Sequence, residues 1–188
     1  MKILYVARHG ETDYNQQGRY LGSTDIPLNA SGKLQAEALA SRLSDIAIDS
    51  ILTSPLLRCE QTAQIVRKKK KTPIKAISAL RERNVGVYEK LTKEEAQMTY
   101  PDLWEKNITR VWNDAPAGGE TIQQVVKRVH RCLDKVLVEC EGYRILIVTH
   151  GFVSKVINFY FNRDLSKELF FEFVLDVGNV MAFHPKKL

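Results

Sequence analysis

The chain has 188 residues, a formal net charge of +6, 44% hydrophobic and 27% charged residues: an ordinary soluble globular composition, long enough for one domain over residues 1–188 to bury a substantial core. No apolar run approaches the roughly 18 residues of a membrane span, and the start MKILYVARHG meets charge too early for a secretory signal, so a cytoplasmic protein without membrane association is expected. Cys59, Cys132 and Cys140 show no metal-ligand spacing, which predicts reduced, structural thiols rather than a zinc site or a disulfide framework.

In chain order, the apolar run 3–7 predicts a strand buried on both faces, and it delivers Arg8 and His9 onto a turn at Gly10. Residues 15–25 read as a loop at the strand mouth. Asn29 or Ser31 caps a helix to about Leu43, with Leu34, Ala38, Leu39 and Leu43 on one side. A second strand lies within 46–53, best placed at 50–53, and a helix over 56–69 carries Arg58 in its first turn. A cation gains nothing at a helix amino terminus unless an anion is near, so Arg58 reads either as a surface residue or, with the N–H groups of that helix start, as a phosphate clamp. The run RKKKK at 67–71 is short and lacks interleaved aromatics, which favours a solvated helix end over a nucleic-acid footprint.

Residues 74–77 form a short strand ahead of Leu80, Arg81 and Glu82. Thr92 and Glu95 make a capping box for a short helix, and a polar helical segment is expected over 103–112. After the loop 114–120, Thr121 caps the most regular helix: Ile122, Val125, Val126, Val129, Leu133, Val136 and Leu137 recur at three and four, and Gly142 stops it. A strand over 145–149 then repeats the first pattern by running into His150 and Gly151, and a helix over 153–161 follows. Short strands at 171–175 and 180–183 predict an antiparallel edge. The alternation argues a three-layer α/β/α sandwich.

Two histidines at the carboxyl ends of parallel strands face one crevice, which would collect Arg8, His9, Arg58, His150 and Glu82. Paired arginines neutralise and orient a phosphoryl group. A neutral His9 attacks phosphorus when its other ring nitrogen donates to a fixed acceptor, and Glu82 protonates the leaving oxygen and then serves as base toward water. The histidines lack metal-motif spacing, and Ser54 lacks a nucleophile elbow.

RHGETDYN from Arg8, TSPLLRCEQTA from Thr53, LRE at 80–82 and VTHG at 148–151, four ordered motifs across nearly the whole chain, resemble the histidine phosphatase superfamily, the phosphoglycerate mutase-like group. Small phosphatases such as α-ribazole phosphatase are the nearest in pattern. The resemblance implies a mixed, mostly parallel sheet between helices and no metal or organic cofactor. It implies that His9 becomes phosphohistidine, that Arg8, Arg58 and His150 hold the phosphoryl group with Gly151 beside them, and that Glu82 moves the proton. It also implies a phosphate contact for Asn15, a substrate-facing loop at Leu21 and Gly22, and a structural helix start at GGET. The chain departs from the family at Lys90 and Phe152, where glycine is usual, which bears on substrate choice.

Family mutases carry longer insertions and a longer tail than this chain, so a phosphatase acting on a small phosphorylated metabolite, such as α-ribazole phosphate or a sugar phosphate, is expected ahead of a cofactor-dependent phosphoglycerate mutase. A non-catalytic phosphate- or nucleic-acid-binding module is the reading from another class; no nucleic acid partner is expected, and no pattern specifies an oligomeric state.

Overall fold

The computed structural model describes residues 3–68, 71–140 and 142–185. Its five-stranded sheet has the order β3-β2-β4-β1-β5, built from β1 (Ile3–Arg8), β2 (Ser50–Thr53), β3 (Ile74–Ala76), β4 (Arg144–Thr149) and β5 (Val180–Phe183). All neighbours are parallel except β5, which runs antiparallel to β1.

The central strands are apolar throughout because both faces are covered. Ile145 and Ile147 point with Leu4 and Val6 into a core under α6 (Ile122–Glu139) and α7 (Gly151–Phe161), while Leu146, Val148 and Ala7 point into a second core under α2 (Ala30–Arg42) and α3 (Leu57–Arg67). Each such aliphatic side chain contributes about 1.5–3 kcal/mol of burial. The period-two split of one continuous run between two cores is what makes the architecture three-layered.

Helix α6 follows its expected pattern, with Ile122, Val125, Val129, Leu133 and Val136 buried and a capping box between Thr121 and Gln124. Asn29 caps α2 by accepting from the Gly32 N–H. The face of α2 differs from the expected one: Leu34 is 67% exposed, and Ala38 is exposed too, while Gly32, Ala36, Leu39 and Ala40 face inward. The first turn of α2 is pressed onto the turn after β1, where a Cβ on Gly32 would lie 2.0 Å from the Glu11 carbonyl oxygen, and that contact fixes the rotation of the helix.

Other boundaries moved for local reasons. The loop expected from Asn15 begins within a short helix α1 (Asp13–Gln16), because Thr12 and Asn15 form a reciprocal cap with Asn in the place of Glu or Gln. The Thr92–Glu95 box caps α4 (Lys93–Thr99), and α5 (Pro101–Glu105) follows. The helical segment expected over 103–112 is interrupted where Asn107 turns to φ 48°, leaving one 3₁₀ turn, Ile108–Arg110. Together they pack a small lobe around Tyr88, Ala96 and Ile108. The strand expected at 171–175 is instead the last two residues of α8 (Lys167–Glu172), capped by the Ser166 hydroxyl, followed by irregular chain over 173–175, because Phe170 anchors the helix among Trp112, Phe152 and Phe159. The antiparallel edge exists, with β1 as the partner of β5. Helix α3 closes at Arg67, and Lys69 and Lys70 of the basic run lie outside the described residues. No helix among the described residues is long and apolar enough to cross a membrane.

Candidate active site

Strands β1 and β4 pair in register up to Arg8 opposite Thr149, so the residues after them emerge side by side. The His9 and His150 rings meet edge to face with centroids 5.1 Å apart. The His9 N–H donates to the Thr149 carbonyl at 2.9 Å, continuing the ladder by one step.

His9 is 3% exposed. Its Nδ1–H donates to the Gly10 carbonyl at 2.7 Å, which places the lone pair on Nε2. Burial, then the charges of Arg58 and Arg8, hold its pKa well below the ordinary 6.5, so the ring is neutral. A fixed, unprotonated imidazole near two guanidinium groups is chemically able to attack an anionic electrophile.

Arg58 is fully buried and held on three sides. Its Nη1 donates to the Thr24 carbonyl and its Nη2 to the Gly22 carbonyl, both at 2.8 Å, while Nε donates to His150 Nδ1 at 3.2 Å. Since Nδ1 accepts, His150 carries its proton on Nε2 and donates to Ser54 Oγ at 2.8 Å. Burial, Arg58, His9 and Arg8 keep this second ring neutral as well. The start of α3 supplies the arginine but not the backbone donors expected with it: Leu57 N–H is taken by Asp25 Oδ1, and the N–H groups of Cys59 and Glu60 by the Leu56 carbonyl.

Arg8 donates from Nη1 to the Leu175 carbonyl at 3.0 Å, and its buried Nε has no partner. An orphaned guanidinium N–H in a site of net positive charge calls for an acceptor from outside the chain. Gly151 makes room for this group, because a Cβ there would sit 3.2 Å from Arg8 Cζ. Glu82 keeps part of its surface open to the cleft. Its carboxylate oxygens accept from the N–H groups of Arg83 and Phe152, yet burial dominates and raises its pKa above the ordinary carboxylate value. Phe152, at the position where the sequence departs from the family, thus contributes its backbone to the acid and its ring to the cleft wall.

The remaining expected contacts are less direct. Asn15 spends its amide oxygen on Thr12, accepting from both its N–H and its hydroxyl, which leaves the NH₂ group to turn toward a ligand. Leu21 lines the cleft beside Glu82. Gly22 is buried, its carbonyl committed to Arg58 and its N–H to Glu89 Oε2. Lys90 is exposed and has φ 71°, with its N–H donating to the Tyr20 carbonyl. Glycine is usual here because the backbone is left-handed.

One organising residue carried no expected role. Glu89 collects the N–H groups of Gly22, Ser23, Thr24 and Val85 and the Thr24 hydroxyl, tying down the loop whose carbonyls aim Arg58. Val85 is local to it, but Gly22, Ser23 and Thr24 lie more than sixty residues earlier, beyond the reach of any local pattern. Among the described residues no group of three or more His, Cys, Asp or Glu side chains is arranged to hold a metal ion, and all three cysteines are free thiols.

A sandwich that ends two adjacent parallel strands in histidines, with a buried and a half-buried arginine and a raised-pKa glutamate around them, is an arrangement able to receive a phosphoryl group. The sequence profile of the histidine phosphatase superfamily (branch 1) matches residues 4–187, and the chain belongs to that family. It is 36% identical over 151 residues to the "Uncharacterized phosphatase PhoE" of Bacillus subtilis, covering 80% of this chain and 72% of that protein. It is also 36% identical over 157 residues to the "Probable phosphoglycerate mutase GpmB" of Salmonella choleraesuis, covering 80% and 70%. The solved α-ribazole phosphatase of Shigella flexneri superposes with a TM-score of 0.90 at 29% identity, over 98% of this chain and 91% of that one.

Proposed function

We propose that the protein is a phosphomonoesterase that works through a phosphohistidine at His9 on a small phosphorylated metabolite, with no metal in the reaction. The observation that carries this is the state of His9: neutral, its Nδ1–H bound to Gly10, its Nε2 lone pair free between Arg8 and Arg58.

In the first half-reaction His9 Nε2 attacks phosphorus and the bond to the ester oxygen breaks. Glu82, whose pKa burial raises above the ordinary carboxylate value, gives its proton to that oxygen as the alcohol leaves. Arg8 Nε, Arg58 and the Asn15 amide hold the phosphoryl oxygens, so charge is neutralised by guanidinium groups rather than by a metal ion. In the second half-reaction Glu82 takes a proton from water, the water oxygen attacks phosphorus, and the P–N bond returns its electron pair to His9. His150, tied between Arg58 and Ser54, holds that arginine and packs against the nucleophile.

The test is phosphate release from a panel of phosphomonoesters in the presence of a chelator, with His9→Ala alongside. Release that requires His9 is expected; equal release by the variant refutes the mechanism. Phosphoglycerate mutase is the second reading, favoured by the name of the Salmonella relative, and isomerised phosphoglycerate with little free phosphate would select it.

A further inference from the structure

The cleft at Glu82 has a volume of about 320 Å³ and shares Tyr20, Thr109 and Arg110 with an adjoining cavity of about 540 Å³. The leaving alcohol departs past Glu82, so this is the space it must occupy. Its apolar side is formed by Leu21, Val85, Phe152 and Phe171, and its polar side by Arg83, Arg110 and Lys155. Glu82 is the one carboxylate among the described residues that line either space, and in the proposed first step it enters as the acid and becomes a carboxylate as it protonates the departing oxygen.

Among the described residues no carboxylate pairs with Lys155 or Arg110, whereas Glu82 and Glu120 bear on Arg83. Lys155 Nζ donates to the carbonyls of Phe171 and Phe173, which are neutral acceptors, and keeps a third N–H. Arg83 spends Nε and Nη1 on the carbonyls of Glu120 and Thr109, and its Nη2 is buried without a partner. Arg110 lies over the Phe171 ring at 5.1 Å and Arg83 over the Phe152 ring at 5.2 Å. Burial, then the charge of the neighbouring Arg110, push the Lys155 pKa down to about 8. A wall of this kind rejects cationic and small neutral alcohols and favours an apolar body that ends in an anion.

We infer that the alcohol released by this enzyme carries a ring-bearing apolar body and a second anionic group, the body lying along Phe152 and Phe171 and the anion held by Lys155 and Arg110. The inference rests on the phosphatase reading above and goes beyond it in naming the leaving group. A three-carbon acid satisfies the cations but leaves the aromatic wall wet; a neutral or basic aromatic alcohol covers the wall and leaves the cations bare.

The experiment compares benzyl phosphate, 4-carboxybenzyl phosphate, 4-(phosphonomethyl)benzyl phosphate and 4-(aminomethyl)benzyl phosphate, whose leaving oxygens are closely matched, with 3-phosphoglycerate as the small acid. In the wild type kcat/KM is expected to be about tenfold higher for the anionic benzyl esters than for benzyl phosphate. The aminomethyl ester and 3-phosphoglycerate should fall below the anionic benzyl esters, and the carboxylate and phosphonate arms show which anion is preferred. In Lys155→Met and Arg110→Gln the ratio of carboxybenzyl to benzyl ester should fall toward one. His9-dependent release with equal rates for the benzyl and anionic benzyl esters, or with 3-phosphoglycerate ahead of all of them, overturns this inference and leaves the phosphatase reading standing. Absence of His9-dependent release from every compound overturns both. The wild-type comparison decides the matter without relying on the variants to fold.

Discussion

Replacing Glu89 by glutamine preserves the shape of the side chain while removing its charge and one of its two acceptor oxygens. Glu89 Oε1 accepts from Ser23 N–H at 2.7 Å and Val85 N–H at 3.3 Å, and Oε2 from the Thr24 hydroxyl at 2.8 Å, Gly22 N–H at 3.2 Å and Thr24 N–H at 3.3 Å. The amide NH₂ of glutamine can satisfy none of these N–H donors, so one cluster is left facing another donor. Hydrogen bonds to a charged acceptor are worth about 1.5–3 kcal/mol each, and with relaxation and water entry we expect a net loss of about 2–4 kcal/mol. For a chain of this length that lowers Tm by roughly 6–12 °C. The catalytic effect follows from the same bonds, since the released loop carries the Gly22 and Thr24 carbonyls that aim Arg58; a misplaced clamp should cost about 10–100-fold in kcat/KM. Burial pushes the Glu89 pKa up, but the hydrogen bonds from Thr24, Ser23, Val85 and Gly22 outweigh it and hold the group below its ordinary value. A depressed folded pKa contributes stability that is present above the unfolded value and lost as pH falls through the folded one. The acid limb of stability below about pH 4.3 should therefore be shallower in Glu89→Gln than in the wild type. Thermal unfolding at neutral and acid pH, with phosphate release at neutral pH, measures all three effects. A variant with the wild-type midpoint and wild-type kcat/KM would refute the assignment of Glu89 as the residue that positions the loop.

Lys90→Gly relieves a left-handed backbone at φ 71° and should stabilise the protein by about 0.5–1 kcal/mol in chemical denaturation, the gain in strain being partly offset by glycine entropy. Glu82→Gln removes the proton donor and should slow alkyl phosphates by on the order of 10²-fold while sparing 4-nitrophenyl phosphate, whose leaving group needs no proton. Because His9 must be neutral and Glu82 protonated, the acid limb of kcat/KM should lie below 6.5, where burial and the two arginines place the His9 titration, and the alkaline limb should be that of Glu82, raised above its ordinary value by burial. A pH profile in which the alkaline limb survives in Glu82→Gln would contradict that assignment. Ser54→Ala leaves the buried His150 Nε2–H without its acceptor and should cost about 1–3 kcal/mol of stability, with a fall in kcat, whereas Ser54→Thr, which restores a hydroxyl, should recover part of both.

What could be read from the chain alone was whatever depends on contiguous residues. The two apolar strands followed by His-Gly were legible because strand direction and burial are local properties, and the parallel pairing of β1 with β4 then brings His9 and His150 together. The caps at Thr92 and Thr121 were legible for the same reason. The apolar spacing of α2 points Leu34 inward, but the rotation of the helix is set by contact with the Glu11 backbone, which no periodicity within the helix encodes. Residues 171–175 read as a strand because FEFVL is rich in aromatic and branched residues. Phe170 in an aromatic cluster overrode that propensity. Glu89 could be seen as part of a motif, but its role depends on a loop that reaches it only in the folded chain.

The distance between the two imidazoles has a consequence of its own. Neighbouring strands of any sheet stand about 4.7–4.9 Å apart, and the His9 and His150 centroids are 5.1 Å apart one residue beyond the paired ends of β1 and β4. The reacting centre is thus calibrated by the hydrogen-bond repeat of the backbone, a ruler that side-chain substitutions elsewhere cannot stretch. The segment between Glu82 and Glu120, which walls the leaving-group cleft with Arg83, Val85, Thr109 and Arg110, is not part of that ruler. Drift in that segment can change which alcohol is released while the bond-breaking apparatus stays in register, so catalysis and selectivity can diverge in this protein without one being traded for the other.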